Sequence, residues 1–450
     1  MKITSEEIQL TKECLAMAAE AGAAKARVTL NKSVMDLFST LNGEIDKVSH
    51  CLDRSLTLNL FVDGRYATFS TNRLCEESLK AFVKKAVETS RMLARDPLRK
   101  LPDPSRYEKN AMSGDELDLL DPSYDEVTSE KRRSIAVAAS GFHKNPEGLI
   151  SEEGEYSDSL YDTLVIDTQG LYCRHTETSF EYGVEVTIQD EEGNRHSGFW
   201  WDASSRLSGL KASDCFDKAL SRARSQIGAK PFQNGKFKMV VDTECASRLL
   251  TPVLNALGGF ALQQHNSFLV DSLGKKIFSE GMTVIDRARS VGETGTRLFD
   301  SEGVATVDTP VIKDGIVKEY FINTYMSGKM NLEPTVEDVT RPAVERWVSP
   351  SLGCAEGRLD ASALMGLLGE GIYVTGFNGG NSNSSTGDFS FGIEGYVFKD
   401  GKIGSAVHEM LMTGNFITLW NNLLAAGDDC RVCLSKLTPS LAFKDVDFSA

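Results

Sequence analysis

Few residues in this sequence stand at spacings that do chemistry. The stretch VHEMLMTGN, Val407–Asn415, opens as a zinc-peptidase helix does, with His408 followed by Glu409. Such a helix needs a second histidine one turn on, so that two imidazoles face one ion. Met412 stands at that place, with Thr413 after it. The stretch also follows Asp400-Gly401, a hairpin signal, so it is expected to be extended. On a strand, His408 and Glu409 would point to opposite faces and could not share an ion. The stretch is therefore set aside as a metal site.

The other histidines, 50, 143, 175, 196 and 265, have no partner at helical spacing. His265, in ALQQHNSF, reads as a hydrogen-bonded histidine at a helix end. The nine cysteines are odd in number and scattered, apart from the C-x-x-C pair Cys430 and Cys433. No second pair and no nearby histidine completes a tetrahedral set, so the pair is expected to pack rather than to ligate. No G-x-S-x-G elbow and no phosphate loop occurs. The stretch GETGTR, Gly292–Arg297, lacks the lysine of a phosphate loop and reads as a plain loop.

The most distinctive segment is TGFNGGNSNSSTGDFSFGIEGY, Thr375–Tyr396. Its glycines alternate with small hydroxyl and amide side chains, which lets another backbone approach closely. Two readings follow from composition: a groove that takes an extended peptide by main-chain pairing, or a loop packed on a neighbouring sheet or subunit.

These residues must be positioned by a chain of 450 residues, a length that predicts two or three domains. Thr4 and Glu7 form the signature of a capping box for a helix over 5–25. Strand-like runs follow at ARVTL, at DLFSTLNGEIDKVSH and around the Asp63-Gly64 hairpin, then a helix over 75–94. The charged, proline-containing stretch 94–110 reads as a linker. The order helix, β-meander, helix then recurs, with helices near 125–142 and 212–228. A third region begins with the strand KFKMVVD and a helical run over 245–262, then turns β-rich, with helices expected at 362–370 and 416–426. Antiparallel hairpins flanked by helices indicate an α+β fold, not a doubly wound one. The expected domains are 1–112, 113–230 (a repeat of the first) and a larger β-rich region, 231–450.

Lys and Arg number 49 against 64 Asp and Glu, a net charge of −15, which excludes nucleic acid as a general partner. The basic clusters Lys131–Arg133 and Lys84-Lys85 read as solvated helix faces. No run approaches the roughly 18 apolar residues of a membrane span. The N-terminus has no apolar leader, so the expected address is cytoplasmic, with no membrane partner.

Three segments carry a family resemblance: Ser267–Asp286 (SFLVDSLGKKIFSEGMTVID), Ser385–Ile403 (STGDFSFGIEGYVFKDGKI) and Gly414–Asp429 (GNFITLWNNLLAAGDD). In order and spacing they resemble the TldD/PmbA family, also described as modulators of DNA gyrase, and within it the PmbA (TldE) branch. The resemblance implies a cytoplasmic metallopeptidase system of two related chains. The TldD-type chain carries an H-E-x-x-x-H zinc helix and a C-terminal cysteine ligand. The PmbA-type chain lacks them and pairs with it, and the complex degrades or matures small or unfolded peptides. On this resemblance the zinc helix would fall on Leu250–Leu262, with Thr251, Pro252 and Ala256 at the positions of histidine, glutamate and histidine. Those side chains offer no imidazole and no carboxylate, so no zinc and no other cofactor is expected in this chain. Cys430 and Cys433 fall where relatives supply a cysteine ligand, but without histidines they make a poor zinc site. The expected partners are a TldD-type subunit and a peptide, with a homodimer as the alternative when the chain is alone. The expected groove or interface residues are Asn378, Gly379, Gly380, Ser385, Thr386, Gly387 and Asp388. Two other functions remain open: a non-enzymatic modulator of gyrase or of a toxin–antitoxin pair, and an independent hydrolase of another mechanism.

Overall fold

The structure is a computed structural model and describes residues 2–354 and 356–450. The chain divides into two compact units, one running up to Arg224 and adding Arg289–Thr306, the other made of Ser225–Ala288 and Val307–Ala450.

The first unit is built on helix α1 (Ser5–Glu20), strands β1 (Lys25–Leu41), β2 (Glu44–Val62) and β3 (Arg65–Thr71), and helix α2 (Glu76–Ser90). The same order then returns as α3 (Ser129–Ala139), β4 (Leu149–Asp167), β5 (Tyr172–Gln189), β6 (Arg195–Ser204) and α4 (Cys215–Ser225). The two triplets meet antiparallel along β1 and β4, so residues expected in two domains build one sheet of order β3-β2-β1-β4-β5-β6. The Thr4–Glu7 capping box is formed in both directions. The run Asp36–His50, read as one strand-like stretch, folds back at Asn42-Gly43. Both residues have positive φ, 53° and 83°, as a two-residue hairpin turn of the I′ kind requires. Asp63-Gly64 turns β2 into β3 in the same way.

Even-numbered residues of β1 and β4 face the helices. Val28, Leu30 and Leu164 pack with Cys14 and Ala18 of α1 and Val83 of α2. Tyr156 and Leu160 pack with Ala136 of α3 and Phe216 of α4. Between these two cores the same sheet face carries buried charges. Lys32 pairs with Glu7 at 3.0 Å, Arg132 with Asp158 at 2.6 Å and with Asp36 at 3.4 Å. Arg132 is therefore buried, not solvated as the basic run Lys131–Arg133 suggested. Its carboxylate partners stand on β1 and β4, outside any local sequence window. The expected linker 94–110 is likewise pinned to the sheet, Tyr107 donating its hydroxyl to Asp167 at 2.6 Å.

The second unit opens with β7 (Gly235–Val241), α5 (Thr243–Ala256) and α6 (Gly259–Gln263). The helical run expected over 245–262 thus breaks at Leu257-Gly258. A small sheet follows, formed by β8 (Val284–Asp286), β9 (Thr309–Lys313), β10 (Ile316–Val317) and β11 (Pro342–Val344), with α7 at Thr324–Met330. The large sheet holds β12 (Trp347–Val348), β13 (Glu370–Phe377), β14 (Asn381–Ser382), β15 (Asp388–Lys399), β16 (Lys402–Asn415), β17 (Leu423–Ala426) and β18 (Leu441–Ser449), together with β7. Strand β18 pairs with both β16 and β7, so β7-β13-β15-β16-β18 closes into a ring. One face of these strands (Met239, Val241, Val374, Phe391) packs with Leu249 and Val253 of α5. The other (Val240, Tyr373, Phe398) packs with Leu364 and Met365 of α8 (Ala361–Leu368). The helix expected over 416–426 ends early: α9 covers Phe416–Asn421, and Leu423–Ala426 pairs with β18 and β12 instead. Pairing there outweighs the local helical pattern. Among the named strands, β7–β13 is the one parallel pair, which makes the fold α+β with antiparallel sheets and a larger β-rich C-terminal region.

Candidate functional site

Helix α5 is capped by Asp242, whose side chain accepts the backbone N–H of Glu244. Ala246, Leu249, Leu250 and Val253 turn into the core, which leaves Glu244, Cys245, Ser247, Arg248, Thr251 and Pro252 on one outward face. That face is one wall of a cleft of about 640 Å³. Phe377, Gly380, Asn381, Ser382 and Phe391 form the other wall. The two features that the sequence singled out separately, the helix at Thr251 and the glycine-rich segment, therefore meet across one space.

The floor is aromatic. Phe377 meets Phe391 edge-on at 5.6 Å, and Phe389 stacks on Phe391 at 5.2 Å. The Arg248 guanidinium lies over the Phe391 ring, 4.9 Å from its centroid, a cation–π contact. At one end, Glu244 forms an ion pair with Arg431.

Thr251 donates its hydroxyl to the Ser247 carbonyl at 2.8 Å. Pro252 has no donor atom in its ring, and Ala256, one turn on, is buried at 3% exposure and does not line the cleft. Zinc wants nitrogen, sulfur or carboxylate ligands. Among the described residues no group of three or more His, Cys, Asp or Glu is arranged to hold a metal. The residues present on this helix do not fit that ion.

Of the expected groove residues, Gly380 reaches the cleft. Its φ is +86°, and a Cβ there would stand 2.1 Å from the Ser390 carbonyl oxygen, so the close approach requires glycine. Asn378 and Gly379 lie on the exposed bend just before it, Asn378 donating from its backbone to the Gly392 carbonyl at 2.9 Å. Ser385, Thr386 and Gly387 belong to the following turn and Asp388 opens β15; none of the four lines the cleft. There Ser385 donates to Asn266 at 2.6 Å and Asp388 accepts from Asn415 at 2.9 Å. The Asn415 and Thr386 donors hold the Asp388 carboxyl below its ordinary range. Gly387 is buried, its Cα facing the Phe268 ring.

Phe377, Asn381, Ser382 and Phe391 lie within the segment Thr375–Tyr396 that the sequence singled out, though they were not named one by one; Arg248 was not anticipated. Arg248 stands three residues before Thr251 and so shares its helix face, which helical periodicity alone could have revealed.

Cys430 and Cys433 do not line the cleft. Burial pushes the Cys430 thiol up to about 11. Their loop is held by Arg341, which is fully buried and donates to the carbonyls of Leu434 and Val432 at 3.2 and 3.3 Å. His265 sits just past α6, its backbone N–H donating to the Leu262 carbonyl, as expected of a helix end. His408 and Glu409 are on a strand, as expected, but not on its opposite faces. Ile393 pairs with Met410 and Gly395 with Val407, so β16 carries an extra residue there. Glu409 takes φ +55° in this bulge, and its carboxylate lies 3.8 Å from the His408 ring. The bulge overrides the alternation on which the opposite-face expectation rested.

A second concavity, of about 870 Å³, lies on the open face of the six-stranded sheet. It holds carboxylates (Asp46, Glu153, Glu155, Glu181, Glu185) beside Phe199 and Trp201, and none of the residues singled out above.

Residues 234–450 match the family model described as the PmbA/TldA metallopeptidase C-terminal domain, and residues 118–227 the one described as its central domain. A Bacteroides thetaiotaomicron crystal structure, named as a candidate modulator of DNA gyrase, is 36% identical, covers all of both chains and superposes with a TM-score of 0.93. The crystal structure of TldE from Thermococcus kodakarensis shares the fold, at a TM-score of 0.81 and 17% identity over 98% of this chain and all of that one. Metalloprotease PmbA of Escherichia coli O157:H7 is 25% identical over 98% of each chain.

Proposed function

The chain belongs to the PmbA/TldD metallopeptidase family, and from that premise we propose that it is the non-catalytic, PmbA/TldE-like member of a two-chain peptidase. In this reading it pairs with a zinc-bearing TldD-type chain, takes no zinc itself, and offers its cleft to a small or unfolded peptide. The observation that carries the proposal is the outward face of α5. Where the resemblance puts histidine and glutamate, Thr251 spends its hydroxyl on a helix carbonyl and Pro252 offers no ligand. A water cannot be activated without an ion to lower its pKa or a base to take its proton. What such a surface can do is hold a chain: backbone close to the glycine-rich segment, aromatic floor, polar rim. The word metalloprotease in the relatives' names describes those proteins, and this reading assigns the metal to the partner.

The test is metal analysis and peptide cleavage on the purified chain, alone and mixed with a TldD-type chain. Alone it should carry far less than one zinc per chain and cleave nothing. Mixed, it should form a complex that cleaves and that chelation silences. Stoichiometric zinc with chelator-sensitive cleavage by the lone chain would end the proposal.

A second reading follows from the gyrase name of the Bacteroides structure. The net charge of −15 suits an acidic chain that contacts a basic protein surface. Recovery of gyrase, and no peptidase chain, on native purification would favour it. A cytoplasmic setting belongs to both readings; no helix among the described residues is long and apolar enough to cross a membrane.

A further inference from the structure

Resting on the peptide-cleft reading above, we propose that Arg248 recognises a carboxylate of the bound peptide. Charge on α5 is paired in an unusual way. Glu244 stands one turn before Arg248, the i, i+4 spacing at which a glutamate and an arginine on one helix ordinarily pair. That carboxylate is instead engaged by Arg431, in the loop whose Val432 and Leu434 carbonyls Arg341 holds. Arg287 and Arg346 of the same unit have their own carboxylates, Glu345 at 2.8 Å and Asp428 at 2.7 Å. Among the described residues, Arg248 has no acidic partner; its contact is the face of Phe391.

A guanidinium laid on an aromatic ring is held flat, with one face covered and its N–H edge left open. That edge matches a carboxylate in a two-bond fork. The surroundings fit a peptide end. Asn381 and Ser382 line the same cleft with hydrogen-bonding side chains, and the bend at Gly379-Gly380 puts backbone within reach without side-chain bulk. The carboxylate could come from a peptide C-terminus or from an Asp or Glu side chain. Both present the same group to Arg248, and the experiment separates them.

Three fluorescein-labelled, otherwise neutral octapeptides serve as probes: one with a free C-terminus, one amidated, and one amidated with an internal glutamate. Binding by fluorescence anisotropy is measured on the full chain and on its complex with a TldD-type chain. For the wild type, amidation should weaken binding about tenfold, the size of a hydrogen bond to a charged group. Arg248→Gln should erase the difference between acid and amide. Arg248→Lys, which keeps the charge and loses the fork, should retain part of the preference. Because Arg248 is on the outward face, circular dichroism and Tm should not move. Recovery of affinity by the internal glutamate assigns the carboxylate to a side chain; no recovery assigns it to the C-terminus. Equal binding of all three peptides, or a preference for a carboxylate-bearing peptide that survives Arg248→Gln, overturns the role of Arg248 and leaves the cleft reading standing. Absence of binding by all three peptides, to chain and complex alike, overturns both.

Discussion

Asp286 is 1% exposed, and its carboxylate accepts the backbone N–H groups of Arg341 at 2.6 Å and Thr340 at 2.9 Å. Burial pushes its pKa up to about 6, against the lowering effect of those two donors, and the nearby acids Asp308 and Asp338 add to the rise. The folded value thus lies above the unfolded one of about 3.9. Between the two the folded chain holds a proton that the unfolded chain has released, so stability falls as pH rises through that window. Unfolding free energies measured from acid to neutral pH should show the wild type losing ground to Asp286→Asn between about pH 4 and 6, and a constant difference above. A flat difference across the window would contradict this. Single residues also mark how far the sequence could be read. The Thr4–Glu7 capping box was legible because both halves lie within one turn. The fate of Glu244 was not, since Arg431 reaches it from another part of the chain, and without that pairing Arg248 reads as an ordinary half of a surface pair. Arg132 was misread for the same reason. The strand of His408 and Glu409 was read correctly but their faces were not, because an extra residue in a strand leaves no trace in the alternation of side chains.

Among the elements, two adjacent glycines give a matched experiment. Gly379 and Gly380 both take left-handed φ values, +79° and +86°. A Cβ on Gly379 would meet nothing within 4 Å, whereas one on Gly380 would drive into the backbone of Ser390 and Phe391. Gly379→Ala should therefore cost only the left-handed penalty, about 1–2 kcal/mol. Gly380→Ala should cost clearly more by thermal unfolding, and should weaken peptide binding because the segment must lift off β15. Equal effects of the two would argue that the bend is loosely held. The hairpins at Asp63-Gly64 and Asp400-Gly401 were readable because an acidic residue and a glycine with positive φ are a local requirement of the turn. Asn42-Gly43 obeys the same rule and went unread inside a long strand-like run. The end of α9 could not be read locally at all. Leu423–Ala426 is apolar enough for either helix or strand, and its pairing with β18 decides.

At the scale of the molecule, composition and hairpin spacing were enough for the α+β class. The closure of β18 onto β7 was not, because it joins the two ends of the second unit. Nor was the loan of Arg289–Thr306 to the first unit. Within that unit Leu298 and Phe299 pack with Tyr107, Leu119 and Leu171, and Arg289 pairs with Glu108 at 2.7 Å. Residues 2–224 produced alone should bind a hydrophobic dye at that uncovered patch and melt at a lower temperature than the same chain with 289–306 appended through a flexible linker. Identical melting curves would mean the segment adds nothing. This loan also sets an order of events on the ribosome. Domains generally fold as units from the N-terminus while synthesis continues, but here the patch around Leu171 stays uncovered until translation has passed residue 306, through the first part of the following unit. The nascent chain therefore carries exposed apolar surface for the whole of that interval, and it is then that a chaperone would find it.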